Sequence, residues 1–446
     1  MTETELNALL AGITPANEAA RAAAHAHWAS LAKPLGGLGR LETMLEDAAA
    51  LTGTAELAFS RRAVLVLCAD NGVVAQGVSQ TDQSVTRAVA ENLAARRTSV
   101  CQMAKTARCE VVPVDLGMAG EPVPGVQNCR IAAGTADFTT GPAMTRQQAV
   151  DAIAAGIGLV RAQKAAGVQL LATGEMGIGN TTTSSAVAAV LLGQPVERMT
   201  GRGAGLSDAG LARKLDAIRR GIARNQPDAA DPLDVLSKLG GFDIAGLCGV
   251  FLGGALEGLP VLMDGFISGV AALCAVRLCP AAEKAVFASH CSTEPAARLV
   301  LEALGKAPYH VVLSGECRVE LPSGQRLSMR AGDVLLLPGG APHVLHSPGK
   351  AVAPTLVSAK RIDAGILPIH RIGGVSADLD MLCGCFHFNR TSLLFASLPD
   401  YLLIPSGTLP ADGPLQSLVD LLRGEADGDQ IGAKFLLDAL SQALFT

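Results

Sequence analysis

The segment GEMGIGNTTTSSA, residues 174–186, follows the apolar run VQLLA (168–172) and leads into the alanine-rich run AVAAVLL. This order predicts a strand, a glycine-rich loop and a helix. Glycines and a row of hydroxyl residues suit a loop that wraps an anion with backbone N–H groups at a helix N-terminus. The same loop carries a carboxylate, Glu175, which such a site must accommodate.

Short, mostly apolar runs recur along the first part of the chain, at 64–69, 109–115, 168–172 and 259–263, with helical patterns between them. Strands that are buried on both faces and alternate with helices predict an α/β fold, with a doubly wound, mostly parallel sheet and flanking helices. A polar segment that contains glycine follows each run directly: ADNGV, DLGMAG, TGEMGIGNTT and MDGFISG. Ligands of such sheets bind beyond the carboxyl ends of the strands, so the site is expected at that edge.

The bulk composition excludes several classes of protein. The 446 residues allow two or three domains, and a net charge of −5 offers no basic surface to nucleic acid or to an anionic membrane. The eleven cysteines show no disulfide spacing, which favours reduced thiols in a cytoplasmic protein. The N-terminus lacks the basic region of a signal peptide, and charged residues divide the apolar segment 244–278. We expect a soluble, cytoplasmic protein.

The pattern changes at about residue 308. The text YHVVLSGECRVELPSGQRLSMRAGDVLLLPGGAPHVLHS (309–347) alternates apolar and polar residues between PSG, AGD and PGG turns, which predicts antiparallel hairpins of a β-barrel. A loop (347–378), a strand LCGCFHFN (382–389) and two amphipathic helices, at about 415–423 and 432–445, are predicted after it.

Seven segments in order over roughly residues 1–308 resemble the nicotinate-nucleotide:dimethylbenzimidazole phosphoribosyltransferase family. They are KPLGGLGRLE (33–42), CADNGVVAQGVS (68–79), GEMGIGNTTTSSA (174–186), TGRGAGL (200–206), SKLGGFDIAGLCGVFLGGA (237–255), PVLMDGFISGVAAL (260–273) and SHCSTEPA (289–296). The resemblance implies that 5,6-dimethylbenzimidazole attacks C1′ of nicotinate mononucleotide, giving nicotinate and the α-ribazole 5′-phosphate of the cobalamin lower ligand. It also implies a homodimer.

No cofactor is expected. The sequence has no Asp-Asp or Glu-Glu pair, and Glu46–Asp47 lies in a helical stretch away from any phosphate loop. Transferases that use a pyrophosphate donor place adjacent acidic residues there to hold magnesium. A donor without pyrophosphate does not need that metal, so the absence is consistent with the implied reaction.

The resemblance implies roles for individual residues. Glu175 would face the ribose or the incoming base and stabilise oxocarbenium-like charge; a solvated or loop-capping glutamate is the alternative. Lys214 would face the phosphate; a helix-surface lysine is the alternative. The remaining phosphate-side residues are Gly177, Gly179, Asn180, Thr181, Thr182 and Gly203.

Three further groups complete the expected substrate site. Asp70, Asn71 and Thr81 would line the benzimidazole side, although the family often has His at the position of Asn71. The other two groups have plain structural alternatives, helix capping for the first and a structural histidine for the second. They are Asp264 with Ser268, and Ser289 with His290.

The resemblance breaks after EPAARLVLEALG (294–305). The family continues with R-L-G-E-G-T-G, whose glutamate is its expected general base, whereas this chain continues with KAPYHVVLSGECRVELPSG. Glu316 lies at a comparable distance and is the doubtful candidate base; an exposed strand glutamate is the alternative. Loss of a general base typically costs about 10²- to 10⁴-fold in rate, and positioning alone would leave slow turnover.

Residues 309–446 resemble the sensor half of AraC-type transcription regulators, which is a cupin. No helix-turn-helix follows, so DNA binding is not expected. Cys383, Cys385 and His387 alternate on one face of a strand, with His343 and His346 in another. They are weak candidates for zinc or a redox response, and small core residues are the alternative.

The sequence thus predicts two domains. Residues 1–308 form a phosphoribosyltransferase-like α/β domain that lacks the family's C-terminal segment, and residues 309–446 form a cupin-like domain without a DNA-binding unit. The predicted function is the phosphoribosyl transfer. The alternatives are a nucleotide-binding protein that has lost the chemistry, a cupin sensor, and an in-frame fusion that yields no stable protein.

Overall fold

The computed structural model describes residues 1–34, 37–304, 306–321, 325–337, 344–346, 360–362, 369–371, 379–387 and 401–406. The chain forms two compact units, Met1–Leu304 and Gly305–Thr446.

The first unit is built on a six-stranded sheet in the order β3-β2-β1-β4-β5-β6. Every pairing is parallel, so the predicted α/β fold with a parallel sheet is confirmed. Strand order reverses between β1 and β4, and the carboxyl ends of these two strands therefore flank the crevice where such folds bind ligands. The strands are β1 Arg62–Ala69, β2 Cys109–Gly117, β3 Gln127–Asn128, β4 Leu170–Met176, β5 Val261–Met263 and β6 Val286–Ala288.

Helices surround this sheet, with 3₁₀ turns at Gly72–Gln76 and Pro280–Ala285. Local sequence sets several of their starts: Thr145 and Gln148, for example, form a reciprocal capping box at the start of α6. The helices are α1 Glu3–Leu10, α2 Glu18–Ser30, α3 Arg40–Thr52, α4 Ser84–Ala94, α5 Ser99–Thr106, α6 Arg146–Ala165, α7 Asn180–Leu191, α8 Val196–Met199, α9 Asp208–Asn225, α10 Pro232–Leu239, α11 Phe242–Glu257, α12 Phe266–Leu278 and α13 Ala297–Ala303.

Strand β4 extends further than the sequence predicted. The predicted run ended at Ala172, but β4 continues to Met176 because its ladder with β1 pairs Leu67 with Glu175 and Cys68 with Met176. Glu175 is therefore a residue of the strand rather than of the loop. The connection to α7 shortens to residues 177–179, which fixes Glu175 at the crevice between β1 and β4.

Helices α6 and α11 pack with their backbones in contact. A Cβ atom on Gly156 of α6 would lie 2.1 Å from the carbonyl oxygen of Gly246, and one on Gly249 of α11 would lie 2.0 Å from that of Ile153. Residues 242–255 of α11 are buried throughout. The apolar segment 244–278 is thus a core of the first unit, and no helix in the described part of the chain is long and apolar enough to cross a membrane.

The described strands of the second unit pair antiparallel, as predicted. Strand β7 pairs with β8, β9, β10 and β13, β14 pairs with β9, and β11 pairs with β12 inside the segment predicted as a loop. The predicted strand 382–389 is observed at 379–387, and the predicted helices at 415–423 and 432–445 lie outside the described residues. The strands are β7 Lys306–Glu320, β8 Arg326–Arg330, β9 Val334–Leu336, β10 Val344–His346, β11 Lys360–Ile362, β12 Ile369–Arg371, β13 Leu379–His387 and β14 Leu402–Ile404.

Gly156→Ala should destabilise the first unit, because its methyl group would collide with the backbone of α11. Overpacking of this kind costs about 1–3 kcal/mol. Gly158→Ala on the same helix is the matched control, because a Cβ atom there meets nothing within 4 Å. It should be neutral or stabilising by up to about 1 kcal/mol. Urea unfolding of both variants checks this, and equal midpoints would contradict the close helix contact.

Candidate active site

Residues at the carboxyl ends of β4 and β5 and in the segment after β6 converge on one cleft of about 110 Å³. Four residues named from the sequence line it together: Glu175, Thr181, Asp264 and Ser268. The remaining lining residues were not predicted. They are Gly265, Phe266, Ile267, Ser292 and Glu294.

Lys214 lies behind the wall of this cleft and contacts Thr181, which lines it. Its side chain is fully buried, and Nζ donates to Thr181 Oγ1 at 2.9 Å and to the carbonyl oxygen of Gly201 at 3.0 Å. Burial lowers the pKa of Lys214 to about 8. The negative charge of Glu294 has the opposite, smaller effect on this pKa. Gly203 (φ 53°) packs beside the pair, since a Cβ there would lie 2.9 Å from Thr181 Oγ1. Lys214 is thus not on the helix surface, and a bound anion would favour its charged form.

Glu175 belongs to a hydrogen-bonded chain with two other buried side chains. Asn180 Nδ2 donates to Glu175 Oε2 and, at 3.1 Å, to Asp243 Oδ2. Burial, followed by the charges of Asp243 and Asp264, raises the pKa of Glu175 to about 8. Burial also raises the pKa of Asp243 to about 6. The cleft therefore holds a carboxyl group that changes protonation state close to neutral pH.

The loop after β4 is glycine-rich for reasons of packing. A Cβ atom on Gly177 would lie 2.6 Å from the carbonyl oxygen of Ala69 and 2.7 Å from Asp243 Oδ2, and Gly179 has a φ of 94°. The N–H of Ile178 donates to Thr86 Oγ1 at 3.2 Å, and that of Asn180 donates to the carbonyl oxygen of Gly177 at 3.0 Å. Those two N–H groups hold the loop in place.

Asp70 and Asn71, which follow β1, contact the segments that follow neighbouring strands of the sheet. The carboxylate of Asp70 accepts from the N–H of Ala119 at 2.8 Å, which ties the end of β1 to the loop after β2, and burial raises its pKa. Asn71 is fully buried, and its side chain lies beside Asp243 and lowers the pKa of that carboxyl group. Asn71 therefore joins the chain of polar side chains that leads to Glu175.

Four further predicted site residues also do not line the cleft. Ser289 Oγ donates to the carbonyl oxygen of Met263 at 2.8 Å, and His290 Nδ1 lies 2.9 Å from the same hydroxyl, beside the loop that begins at Asp264. Thr81 is exposed ahead of α4, whereas Thr182 is fully buried in α7.

The candidates in the second unit do not form a described site. Glu316 is an exposed residue of β7 and pairs in register with Arg330. Cys383, Cys385 and His387 alternate along β13, but their side chains and His343 lie outside the described residues. Among the residues whose side chains are described, no group of three or more His, Cys, Asp or Glu is arranged to hold a metal ion.

Sequence reasoning missed Asp243 and Glu294, although both stand in segments quoted for the resemblance. Glu294 Oε2 is buried without a hydrogen-bond partner, and a Cβ atom on Gly201 would lie 2.1 Å from it. The sequence signal for Asp243 was a carboxylate in the glycine-rich segment GGFDIAG, and that for Glu294 was a carboxylate in the polar segment STEPA.

Comparisons with known proteins agree with this architecture. A family model described as "Phosphoribosyltransferase" matches residues 13–313, and one described as "Cupin" matches residues 275–446. The nicotinate-nucleotide–dimethylbenzimidazole phosphoribosyltransferase of Acetivibrio thermocellus is 46% identical over 305 residues, covering 68% of this chain and 86% of the relative. That of Escherichia coli is 41% identical over 323 residues, covering 72% and 89%.

A solved structure is similar as well. The crystal structure of the enzyme of that name from Thermus thermophilus matches with a TM-score of 0.61 and 40% identity, over 65% of this chain and 86% of the other. The parallel sheet and the cleft at its carboxyl edge define an α/β enzyme of the phosphoribosyltransferase class. The chain belongs to the nicotinate-nucleotide–dimethylbenzimidazole phosphoribosyltransferase family.

Lys214→Met should abolish stabilisation of the protein by inorganic phosphate. The folded-state pKa of about 8 lies below the ordinary value of 10.5, so the buried ammonium destabilises the fold below pH 8, and this cost is relieved between pH 8 and 10.5. A phosphate bound beside it should raise the free energy of unfolding at pH 7 by roughly 2.7 kcal/mol at a hundredfold excess over Kd, and with it the unfolding midpoint. The exposed Lys105→Met is the control in thermal unfolding. A phosphate response that persists in Lys214→Met would contradict this placement.

Proposed function

We propose that this protein transfers the phosphoribosyl group of nicotinate mononucleotide to 5,6-dimethylbenzimidazole, giving α-ribazole 5′-phosphate and nicotinate. The observation that carries the proposal is the meeting, in one cleft, of Glu175 with the Lys214–Thr181 pair. Relatives that bear this enzyme's name cover the first unit at more than 40% identity. Their shared fold supports the transfer of the activity to this chain.

The cleft suits a nucleotide with its phosphate at one end and C1′ at the other. In our proposal Lys214, Thr181 and the residues around Gly203 bind the 5′-phosphate. The N–H groups that remain free in the loop containing Gly177, Gly179 and Asn180 bind it as well. Thr182 and Ser268 are buried behind this wall and would shape it. Phosphate binding makes and breaks no bond at C1′, but it positions C1′ beside Glu175.

Transfer then needs one bond to form and one to break. A ring nitrogen of the benzimidazole attacks C1′, the bond from C1′ to the nicotinate nitrogen breaks, and the second ring nitrogen of the product gives up its proton. Positive charge develops on the ribose as the leaving nitrogen departs. An ionised Glu175 at that point stabilises this charge.

The benzimidazole would enter from the side of Asn71 and Thr81, with Asp70 holding the wall in place. Asp264 lies on the opposite wall, with Ser289 and His290 beside the cleft, within reach of nucleotide hydroxyl groups in our proposal. Glu316 remains a candidate proton acceptor, because the family's R-L-G-E-G-T-G glutamate has no counterpart in the sequence.

We further propose that the second unit closes into a cupin barrel. The antiparallel pairing of β7 and the buried face of alternate residues support this, since Val312, Cys317, Val319, Leu327 and Met329 pack together. The cupin ligand is a separate question from the transfer, and a thiolate site at Cys383, Cys385 and His387 is one candidate. We also propose a cytoplasmic homodimer that binds small molecules rather than nucleic acid, consistent with the net charge of −5.

Single-turnover formation of α-ribazole 5′-phosphate by the full-length chain tests the function. Glu175→Gln should lower the rate by roughly 10²- to 10³-fold. Because Glu175 acts in its ionised form, kcat/KM of the wild type should rise with pH through the pKa of about 8. Glu175→Gln should lose that rising limb.

Glu316→Gln is measured beside it, with Glu320→Gln on the same strand as the control. A loss of product confined to Glu316→Gln would mean that the second unit supplies the proton acceptor. Nicotinate mononucleotide bound without any product would identify the chain as a nucleotide-binding protein and refute the proposed transfer.

A further inference from the structure

The side-chain amide of Asn180 lies between two carboxyl groups. Its Nδ2 donates to Glu175 Oε2 and to Asp243 Oδ2 at 3.1 Å. An ionised carboxylate can only accept hydrogen bonds, so the NH₂ group of the amide, and not its oxygen, must face both neighbours. Asn180 is 6% exposed and Asp243 is 0% exposed, which keeps bulk water from competing for these bonds.

Only a carboxylate at position 243 can accept both of the hydrogen bonds that its neighbours donate. Oδ1 accepts from the N–H of Ile244 at 3.0 Å, while Oδ2 accepts from Asn180. A side-chain amide at position 243 would present an NH₂ group at one of these two ends and would leave two donors facing each other. The backbone of α11 and the amide of Asn180 thus both require an acceptor at this position.

The carboxylate is also held rigidly. A Cβ atom on Gly177 would lie 2.7 Å from Asp243 Oδ2, and one on Gly241 would lie 2.3 Å from Asp243 Oδ1. The amide of Asn71 packs against the same group. The backbones of Gly177 and Gly241 therefore lie close to the two oxygens of the Asp243 carboxylate.

We propose that Asp243 is a positioning residue of the transferase, which holds the Asn180 amide so that its N–H, and not its carbonyl oxygen, faces Glu175. This inference rests on the proposed function, because it takes Glu175 as the group that acts on the substrate. An N–H donor stabilises the ionised form of Glu175, whereas a carbonyl oxygen in its place favours the protonated form. Asp243 thereby sets which form of Glu175 the empty site presents.

The charges around Glu175 make this donor important. Asp243 reaches it from α11, Asp264 from the end of β5, and Glu294 lines the same cleft from the loop after β6. Lys214 is a cation close to these carboxyl groups, and its Nζ donates to Thr181, which lines the cleft. The neighbouring carboxylates disfavour ionisation of Glu175, and the hydrogen bond from Asn180 opposes them.

Asp243→Asn is the decisive variant. The reversed Asn180 amide should outweigh the loss of the Asp243 charge, which by itself lowers the pKa of Glu175. The rising limb of the pH profile should move up by about one pH unit, and kcat at pH 7 should fall roughly tenfold. The KM for nicotinate mononucleotide should change by about twofold or less, because the residue does not touch the ligand. Asp234→Asn is the matched control: it too is a first-turn helix carboxylate that accepts from a backbone N–H, that of Asp228 at 2.8 Å. Its pH profile should match that of the wild type.

A double-mutant cycle separates positioning from a general loss of structure. If Asp243 acts through Asn180, Asp243→Asn should cause little further loss of kcat in an Asn180→Ala background. Additive losses would overturn the proposal.

Infrared titration of the Glu175 carboxyl band, assigned by its absence in Glu175→Gln, needs no turnover. An inactive wild type would refute the proposed function but leave this measurement intact. Asn180→Ala should raise the pKa of Glu175, because it removes the donor, and it keeps the role of that donor testable if Asp243→Asn does not fold. Asp243→Asn should raise the same pKa through the reversed amide. A fall in the pKa would mean that Asp243 acts only through its charge, which raises the pKa of Glu175, and would overturn the proposal. An unchanged Glu175 titration would overturn the inference.

Discussion

The contact between the N-terminus of α11 and the carboxyl edge of the sheet is the constraint on which the site depends. Two glycines at strand ends make it possible. A Cβ atom on Gly117 would lie 2.6 Å from the ring of Phe242, and one on Gly177 would lie 2.7 Å from the carboxylate of Asp243. Any side chain at either position would push the helix away from the sheet, because a packed interior has no free volume to absorb it. The Glu175–Asn180–Asp243 chain exists only at this separation.

Burial shifts two ionisable groups of the candidate site toward their uncharged forms. Burial lowers the pKa of Lys214 and raises that of Glu175, so each group is shifted toward its uncharged form. A phosphate dianion beside the lysine and a cationic nicotinate ring beside the glutamate would each reverse that shift. Binding energy from the phosphate end would in this way prepare Glu175 for the role that we propose for it at C1′.

The two units meet in sequence where two families overlap. The phosphoribosyltransferase match ends at residue 313 and the cupin match begins at residue 275, while the structure divides between Leu304 and Gly305. Strand β7 begins at Lys306, and within it Cys317 and Val319 are buried on either side of the exposed Arg318. The change in hydrophobic period near residue 308 falls close to this division. The domain bounds drawn from it stay a prediction, as do the roles proposed for Glu316 and for the β13 cysteines.

Local sequence determined the parallel α/β fold, the edge that carries the site, and the candidates Glu175, Thr181, Asp264 and Lys214, because each signal lies within one strand and the residues that follow it. Tertiary structure alone decided that β4 runs on to Met176, since a neighbouring strand provides the pairing that extends it. It alone brought Asp243 to Asn180 across 63 residues, and Glu294 into the same cleft. A carboxylate at a helix start looks like a cap in the sequence, and only the order of strands in the sheet determines which side chains it meets.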